Sequence, residues 1–313
     1  MLYAGTRSIL SFKYSILNDT VKKLKWWTLS AGNFKKGTLE TLCNENVVYT
    51  ENIKSISVHL PKHLKPVSVD QFGHYLAGLI DGCGHFNSRQ ELFIVFHSLD
   101  VSLAYYIKER LGYGKVKKLK KKNAFVLVVA GRKGIEKVIN LINGKIRTKN
   151  RFNQITNNIL NHENFAELSK KFSLNLSNNF KNHWLAGFSD ADSGFQIKIL
   201  KNSKKIEVRL YFHIYQKKED ILLLIKEFLG GNIGYIKSQY SYLYGSASFG
   251  SAKKVINYFD YFHLLSSKHV NYLKWRKAYL ILQNKDRLNK DGLEKIIKLK
   301  NTIDSLYYTT FLR

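Results

Sequence analysis

One stretch of this chain occurs twice, and the repeat limits what the rest can be. Tyr75-Leu76-Ala77-Gly78-Leu79-Ile80-Asp81-Gly82-Cys83-Gly84-His85-Phe86 returns, with changes, as Trp184-Leu185-Ala186-Gly187-Phe188-Ser189-Asp190-Ala191-Asp192-Ser193-Gly194-Phe195. The corresponding leucines, Leu76 and Leu185, stand 109 positions apart. That is too far for a solenoid, whose repeats run ~20–50 residues, and it points to two related half-domains. In each copy an aromatic residue leads into Leu-Ala-Gly, and small and apolar residues continue to an Asp. Such a run suits a helix buried on more than one side, and its small residues let a second helix backbone come close. Two helices packed that way would bring their acidic ends together at a pseudo-two-fold axis. Paired carboxylates there would offer oxygen ligands to a divalent cation. A cation so held can activate water for in-line phosphodiester cleavage.

The segments that follow the two copies also match in order. Residues 92–96 form a β-branched and aromatic run, as a buried strand does. Val101–Leu111 has helical spacing and stops at Gly112, a residue suited to a helix C-terminus. Residues 114–119 and 124–130 read as a hairpin and 134–142 as a short helix. After the second copy the same order reappears in 207–215, in 221–229 ending at Gly230-Gly231, in 235–238, in 242–248 and in 252–259. Lys137-Val138-Ile139-Asn140 even matches Lys254-Val255-Ile256-Asn257. The expected fold class is α+β, duplicated.

Both copies resemble the signature of the LAGLIDADG family of homing endonucleases and intron maturases. Leu141-Ile142-Asn143-Gly144-Lys145-Ile146-Arg147-Thr148-Lys149, followed by Arg151-Phe152-Asn153-Gln154, is similar to the segment joining the halves of intron-encoded, single-chain members. So is Leu176-Ser177-Asn178-Asn179-Phe180 leading into Trp184. The resemblance covers roughly residues 70–313. It implies two half-domains of αββαββα type, related by pseudo-two-fold symmetry within a monomer, with sheets that form a saddle over nucleic acid. On that basis the chain divides into an N-terminal extension (1–69), a first half-domain (70–176) and a second (177–313).

Charge names the class of partner independently. Among 313 residues, 51 Lys+Arg face 23 Asp+Glu, a formal net charge of +28. A protein this basic has a polyanion as its partner, because each phosphate it neutralises releases condensed counterions. A membrane surface is not indicated: no segment pairs a basic face with an extended apolar one, and no run of about 18 apolar residues is present. Cys43 and Cys83 are the two cysteines, which supports neither a disulfide framework nor a zinc site. Lys, Asn, Ile, Tyr and Phe are plentiful and Pro occurs twice, the bias of AT-rich codons in organelle genomes. A mitochondrial setting is expected, a plastid one less so.

The candidate phosphate contacts are Lys115, Lys117, Lys118, Lys120, Lys121 and Lys122, at the tip of the first hairpin. Lys198, Lys201, Lys204, Lys205 and Arg209 lie in comparable strands of the second half. Tyr235, Tyr240, Tyr242 and Tyr244 interleave with the second group and could stack on unpaired bases or belong to the sheet.

The chemistry departs from the family. The resemblance implies that the eighth signature residue is the metal-binding acid and that the sixth supports the helix end. Asp192 fits the eighth position of the second copy, whereas the first copy has Cys83 there. A thiol is a soft ligand poorly matched to Mg2+, so Asp192 is the expected catalytic and metal-binding residue, with Mg2+ the cofactor of any remaining activity. The resemblance also implies a strand lysine near the scissile phosphate, which residues 124–130 and 242–249 lack, and a polar residue after the first strand of each copy, here His97 and Gln216. These departures favour a nucleic-acid-binding protein with impaired cleavage, acting on structured organellar RNA as a maturase-like factor or beside mitoribosomal proteins. The alternative is a site-specific DNA endonuclease, cutting both strands or nicking one.

Residues 1–69 stand outside the duplication. Met1–Lys25 is basic and rich in hydroxyls, as transit peptides are, while Trp26-Trp27 and the run Val47-Val48-Tyr49-Thr50 suggest ordered packing. The prolines at 61 and 66 mark an expected boundary before the first half-domain.

Overall fold

The computed structural model describes residues 55–202, 205–284 and 290–309. Helix α1 (Val69–Cys83) is the first signature. It leads to strands β1 (Gly84–Phe86) and β2 (Leu92–His97), helix α2 (Val101–Leu111), strands β3 (Lys115–Lys118) and β4 (Ala124–Val129), and helices α3 (Arg132–Ile142) and α4 (Lys149–Ile155). Helix α5 (Trp184–Asp192), the second signature, begins the order again. It is followed by β5 (Ser193–Asn202), β6 (Lys205–Gln216), α6 (Asp220–Leu229), β7 (Asn232–Ile236), β8 (Ser241–Ser246), α7 (Phe249–Phe259) and α8 (Lys268–Gln283), and then by α9 (Lys290–Thr309). Each half builds a four-stranded antiparallel sheet, ordered β1-β2-β4-β3 in one and β5-β6-β8-β7 in the other. The duplicated α+β architecture is therefore the observed one.

Local sequence accounts for the boundaries. Ser68 starts α1 with a capping box: its hydroxyl accepts from the Gln71 amide at 3.1 Å, and the Gln71 side chain accepts from the Ser68 amide at 3.3 Å. Helix α2 ends at Gly112, whose φ of +74° suits a residue without Cβ. Strand β2 alternates, with Leu92, Ile94 and Phe96 buried and Phe93, Val95 and His97 turned the other way. Register carries that alternation across the sheets. Ile94 pairs with Leu127 in the first core, and Phe195 with Phe212 and Ile197 with Leu210 in the second.

The two signature helices pack together at the centre. Gly78 and Gly187 are the contact. A Cβ on Gly78 would sit 1.9 Å from the Trp184 carbonyl oxygen, and one on Gly187 would sit 2.0 Å from that of Tyr75. Real atoms do not approach so closely, so each glycine is required by the other helix's backbone. Around the contact Tyr75, Leu76, Ile80, Trp184, Leu185 and Phe188 are fully buried. Each such side chain contributes roughly 1.5–3 kcal/mol by leaving water.

Two expectations need adjustment. The strand pair implied after each signature is present as β1–β2 and β5–β6, but the segments read from the residues, 92–96 and 207–215, are its second members, so His97 and Gln216 close the second strand of each pair and not the first. Residues 56–66, which hold both prolines, cross onto α8 and the loop before it. There the Gln283 side chain accepts from the Ile56 amide at 2.8 Å, Arg276 donates to the Ser57 carbonyl at 2.9 Å, and His63 Nε2 meets the Leu264 carbonyl at 2.8 Å. Residues 235–238 are strand only to Ile236, after which a 3₁₀ turn, Lys237–Gln239, follows. The reading of 1–54 as a targeting or packing segment lies outside the described residues.

Candidate active site on the pseudo-two-fold axis

The sixth signature residues hold the helix ends, and they do so reciprocally. Asp81 accepts hydrogen bonds from the Arg147 amide (2.8 Å), the Thr148 amide (3.2 Å), the Thr148 hydroxyl (2.6 Å) and the Trp184 indole N–H (2.9 Å). Asp190 accepts from the Leu265 amide (2.8 Å), the Ser266 amide (3.3 Å), the Ser266 hydroxyl and the Tyr75 phenol (2.7 Å). Each carboxylate thus uses two amides and a hydroxyl from the loop that follows its own half. Its fourth donor is the aromatic residue that opens the other signature. Burial pushes the Asp81 carboxyl up to about 6, against the pull of Thr148 and the other donors, and shifts Asp190 in the same direction.

The eighth residues differ. Asp192 Oδ2 accepts from Gln216 Nε2 at 2.7 Å, and the carboxylate lies 3.5 Å from the point where a Cβ on Gly82 would stand. Cys83 turns its thiol back along α1 to donate to the Leu79 carbonyl at 3.4 Å. Both side chains are half-buried, and the eighth positions hold one acid and one thiol. Gln216 joins that site; His97 instead accepts from the Leu99 amide at 3.2 Å through Nδ1.

Two buried cations that the signatures do not contain act on this pair. Lys268, at the start of α8, donates to the Ser189 (3.0 Å) and Ala191 (3.2 Å) carbonyls in the last turn of α5. Burial lowers its amine to about 8, with Asp190 and Asp192 opposing the shift. Arg151, on α4, donates through Nη1 to Gln154 Oε1, which also accepts from the Phe86 amide at 3.1 Å. The other end of Gln154 meets His85 Nδ1 at 2.9 Å. Burial lowers the Arg151 guanidinium, and the charges that support it are those of Asp81, Cys83 and Asp192.

The halves also deliver a histidine to corresponding places from opposite strands. His85 stands on β1 with Phe93 across from it. On β5 the equivalent residue is Gly194, and His213 from β6 fills the space, with Nε2 2.5 Å from where a Gly194 Cβ would be. Burial, and then Lys268 and Lys198, lower the His213 imidazole to about 4, so it is neutral at pH 7.

Lys115, Lys117 and Lys118 lie exposed on β3, and Lys120, Lys121 and Lys122 form the turn to β4. In the second half Lys198 places its amine 4.6 Å over the Tyr211 ring, and the register sets it beside Arg209. Arg209 is bound to Glu207 at 2.7 and 3.1 Å through Nε and Nη2, which pushes its pKa up and uses two of its five N–H donors within the protein. Lys201 and Lys205 belong to the ends of β5 and β6, while their side chains, and Lys204 altogether, lie outside the described residues. Tyr244 is core, donating to the Gly230 carbonyl at 2.9 Å; Tyr240 is exposed; Tyr235 and Tyr242 pair with ring centres 5.0 Å apart.

The signature acids fit a divalent cation poorly. No three His, Cys, Asp or Glu side chains among the described residues cluster so as to hold a metal ion. Of the two eighth-position side chains, Asp192 alone supplies a hard oxygen, and its charge acts on the buried cations Lys268 and Arg151.

The sequence profile of the LAGLIDADG endonuclease family matches residues 185–279. An uncharacterised 37.2 kDa protein of cox1 intron 2 from Schizosaccharomyces pombe is 60% identical over 312 residues, covering 95% of each chain. The chain belongs to the LAGLIDADG family. Within it, the intron-encoded DNA endonuclease aI3 of Saccharomyces cerevisiae is 29% identical and covers 70% of this chain, which spans 65% of that protein. The intron-encoded RNA maturase bI4 of the same yeast is 30% identical over 179 residues, 55% of this chain and 26% of its own length. The LAGLIDADG fold is shared with meganuclease I-SmaMI bound to DNA, at a TM-score of 0.58 and 22% identity over 73% of this chain and 97% of that one. I-SmaMI also forms a complex with its uncleaved target in the presence of calcium ions. The family relatives are thus intron-encoded nucleic-acid-binding proteins, both endonuclease and maturase. No helix among the described residues is long and apolar enough to cross a membrane.

Proposed function

We propose that this chain is an intron-encoded nucleic-acid-binding protein in which cleavage is impaired, and that its ligand is structured organellar RNA, foremost that of an intron. The observation that carries the reading is the pair at the axis: Asp192 keeps its place and its Gln216 partner, while Cys83 offers a thiol bonded to its own helix. One hard ligand in place of two weakens any reaction that needs charge shared between both strands. The exposed lysines of β3 and its turn, and Lys198 on β5, supply sequence-independent phosphate contacts. A relative encoded in a cox1 intron supports a mitochondrial setting and intron RNA over the ribosome.

The test compares the natural protein with Cys83→Asp in a cleavage assay on duplex DNA with Mg2+, and sequences the nucleic acid that copurifies from the native source. Stoichiometric intron RNA with no linearisation supports the reading. Robust linearisation by the natural protein sinks it. A second reading, a DNA endonuclease or strand-specific nickase, is favoured by the intact Asp192–Gln216 pair; nicking of one strand by the natural protein, lost in Asp192→Asn, would establish it. Asp192→Asn is expected to change nucleic-acid affinity less than threefold, because phosphate contacts on the sheets dominate binding.

A further inference from the structure

We propose that the open face of the first sheet is a platform for unpaired nucleotides, whose bases lie on Phe93 and its apolar neighbours while their phosphates reach Lys115 and Lys117. This rests on the reading of the chain as a binder of structured RNA. It goes further by naming the part of such an RNA that the first half takes, a single-stranded stretch and not a helix.

The two sheets differ in what their strands turn outward. An antiparallel sheet with one wet side alternates apolar and polar residues. Strand β6 does so: Leu210, Phe212 and Ile214 enter the core, and Arg209, Tyr211 and His213 turn the other way. Strands β2 and β4 are apolar without a break from Leu92 to Phe96 and from Ala124 to Val129, the pattern of strands covered on both sides. The core covers one side, where Leu92, Ile94, Phe96, Leu127 and Val129 are buried. On the other side Phe93, Val95 and Val128 keep part of their surface in water.

Register turns that side into an ordered array. His85, Phe93, Val128 and Lys115 form one row across all four strands. In the next row Val95 leads through the buried Val126 to Lys117. Strands lie ~4.8 Å apart and successive rows on one face ~7 Å apart. The imidazole and the phenyl ring are thus cross-strand neighbours, and the two lysines follow one another along the sheet edge. Both lysines are exposed, and no residue of the four strands is acidic. Glu91, in the turn between β1 and β2, accepts from Asn87 at 2.8 Å.

The charge selects a polyanion, and the apolar floor selects a part of it with no hydrogen bonds to lose. Base edges in a groove are donors and acceptors. Pressed onto Phe93, Val95 and Val128 they would go unpaired, which costs free energy. The major groove of an RNA helix is also too deep and narrow for side chains to read. Base faces carry no such groups, and four-stranded sheets that present aromatic residues stack two or three unpaired bases. Bases then lie inward on the apolar strands, with phosphates outward along β3.

The test is fluorescence anisotropy with the full-length protein and an unstructured RNA of about twelve nucleotides, within the usual span of single-strand sites. A matching oligomer with base-free sugars at its centre keeps the phosphates. The natural protein should bind the intact oligomer at least about fivefold more tightly, the lower end of what one stacked base contributes. Phe93→Ala should lose that factor on the intact oligomer and nothing on the base-free one, with the salt slope unchanged. Phe93→Tyr, which keeps a ring, should bind as the natural protein does. Lys117→Gln should weaken both oligomers alike and lower the slope by about 0.7. Thermal melts confirm that each variant folds. Equal loss by Phe93→Ala on both oligomers, or no loss on either, overturns the proposal. So does a preference for duplex DNA over its uracil-substituted counterpart that Phe93→Ala abolishes, since the face would then read thymine methyls. Self-association that Phe93→Asp disperses would give the face to a second copy of the chain and overturn it as well. Failure of the natural protein to bind structured RNA would instead sink the proposed function. Equal binding of structured RNA by the natural protein and Phe93→Ala would sink the platform alone.

Discussion

The two signature helices treat their sixth residues alike and their eighth residues differently. At position six, Asp81 and Asp190 have matching sets of donors, down to the aromatic lent by the opposite helix. At position eight, Asp192 faces the axis with Gln216, and Cys83 turns back onto Leu79. The sheets diverge as well. Away from the core the first sheet presents Phe93, Val95 and Val128, whereas the second presents Gln196, Lys198, Arg209, Tyr211 and His213. The lesson is that symmetry persists where the two halves must fit one another. It lapses where each half meets only its own ligand. The frame is a joint constraint; the tips are separate ones.

The comparison can be broken most severely at the frame. Gly78→Val and Gly187→Val should be equally destructive, each forcing the helices apart and costing more than about 4 kcal/mol; a urea titration of either variant that shows native-like stability would refute the close contact. Next come the crossed donors. Tyr75→Phe leaves Asp190, and Trp184→Phe leaves Asp81, one donor short in the interior, at a cost of roughly 1–3 kcal/mol each. Trp184→Phe should lose somewhat more, since it also removes buried ring area. A cost near zero for either, measured by denaturant midpoint, would show that side of the reciprocity to be idle.

A pH dependence tests the crossing segment 56–66. His63 packs against His263 and His269, with ring centres 5.1 and 4.3 Å away. Burial lowers His269 to about 4 and also lowers His263, against the pull of Asp260. Folded values below the unfolded one mean that this stabilisation is complete above about 6.5 and declines as pH falls toward 4. Asp81, pushed up to about 6, shifts global stability the other way over that window, so the local readout is the informative one: proteolysis between residues 56 and 66 should accelerate at pH 5 relative to pH 7.5. Unchanged cleavage would detach the histidines from the segment's docking. The smallest effect concerns the basic strands. Lys117→Gln and Lys198→Gln should each lower the salt slope of binding by about 0.7–0.9. A drop at one site and not the other would show which sheet carries the phosphates.

Much of this was legible in the sequence because the signals were long and periodic. Val101–Leu111 and its Gly112 stop came out at the observed bounds, since apolar spacing and a terminating glycine agree. The doubled signature gave the central helix pair and placed Cys83 against Asp192. Strand β1 was too short to show a period, and β5, placed as a strand through Lys198 and Lys201, showed no bounds of its own in the sequence. Arg151 and Lys268 were invisible as site residues because nothing near them in sequence is acidic. Folding brings them in, through loops whose Thr148 and Ser266 seek Asp81 and Asp190. His213 could be found only through register, since it fills a place left by Gly194 on the neighbouring strand.

The crossed hydrogen bonds have a consequence in time as well as in space. During synthesis Leu76 leaves the ribosome 109 residues before Leu185, a delay of about 5–20 seconds at ordinary elongation rates of ~5–20 residues per second. For that interval the first signature helix has its apolar contact face and Asp81 complete in sequence, yet its partner helix and the indole of Trp184 do not exist. The first half is therefore born as an unfinished interface, and its exposure to misassembly is set by translation speed between the two signatures. Slow codons in residues 90–180 would lengthen that exposure, with no change in any residue of the finished protein.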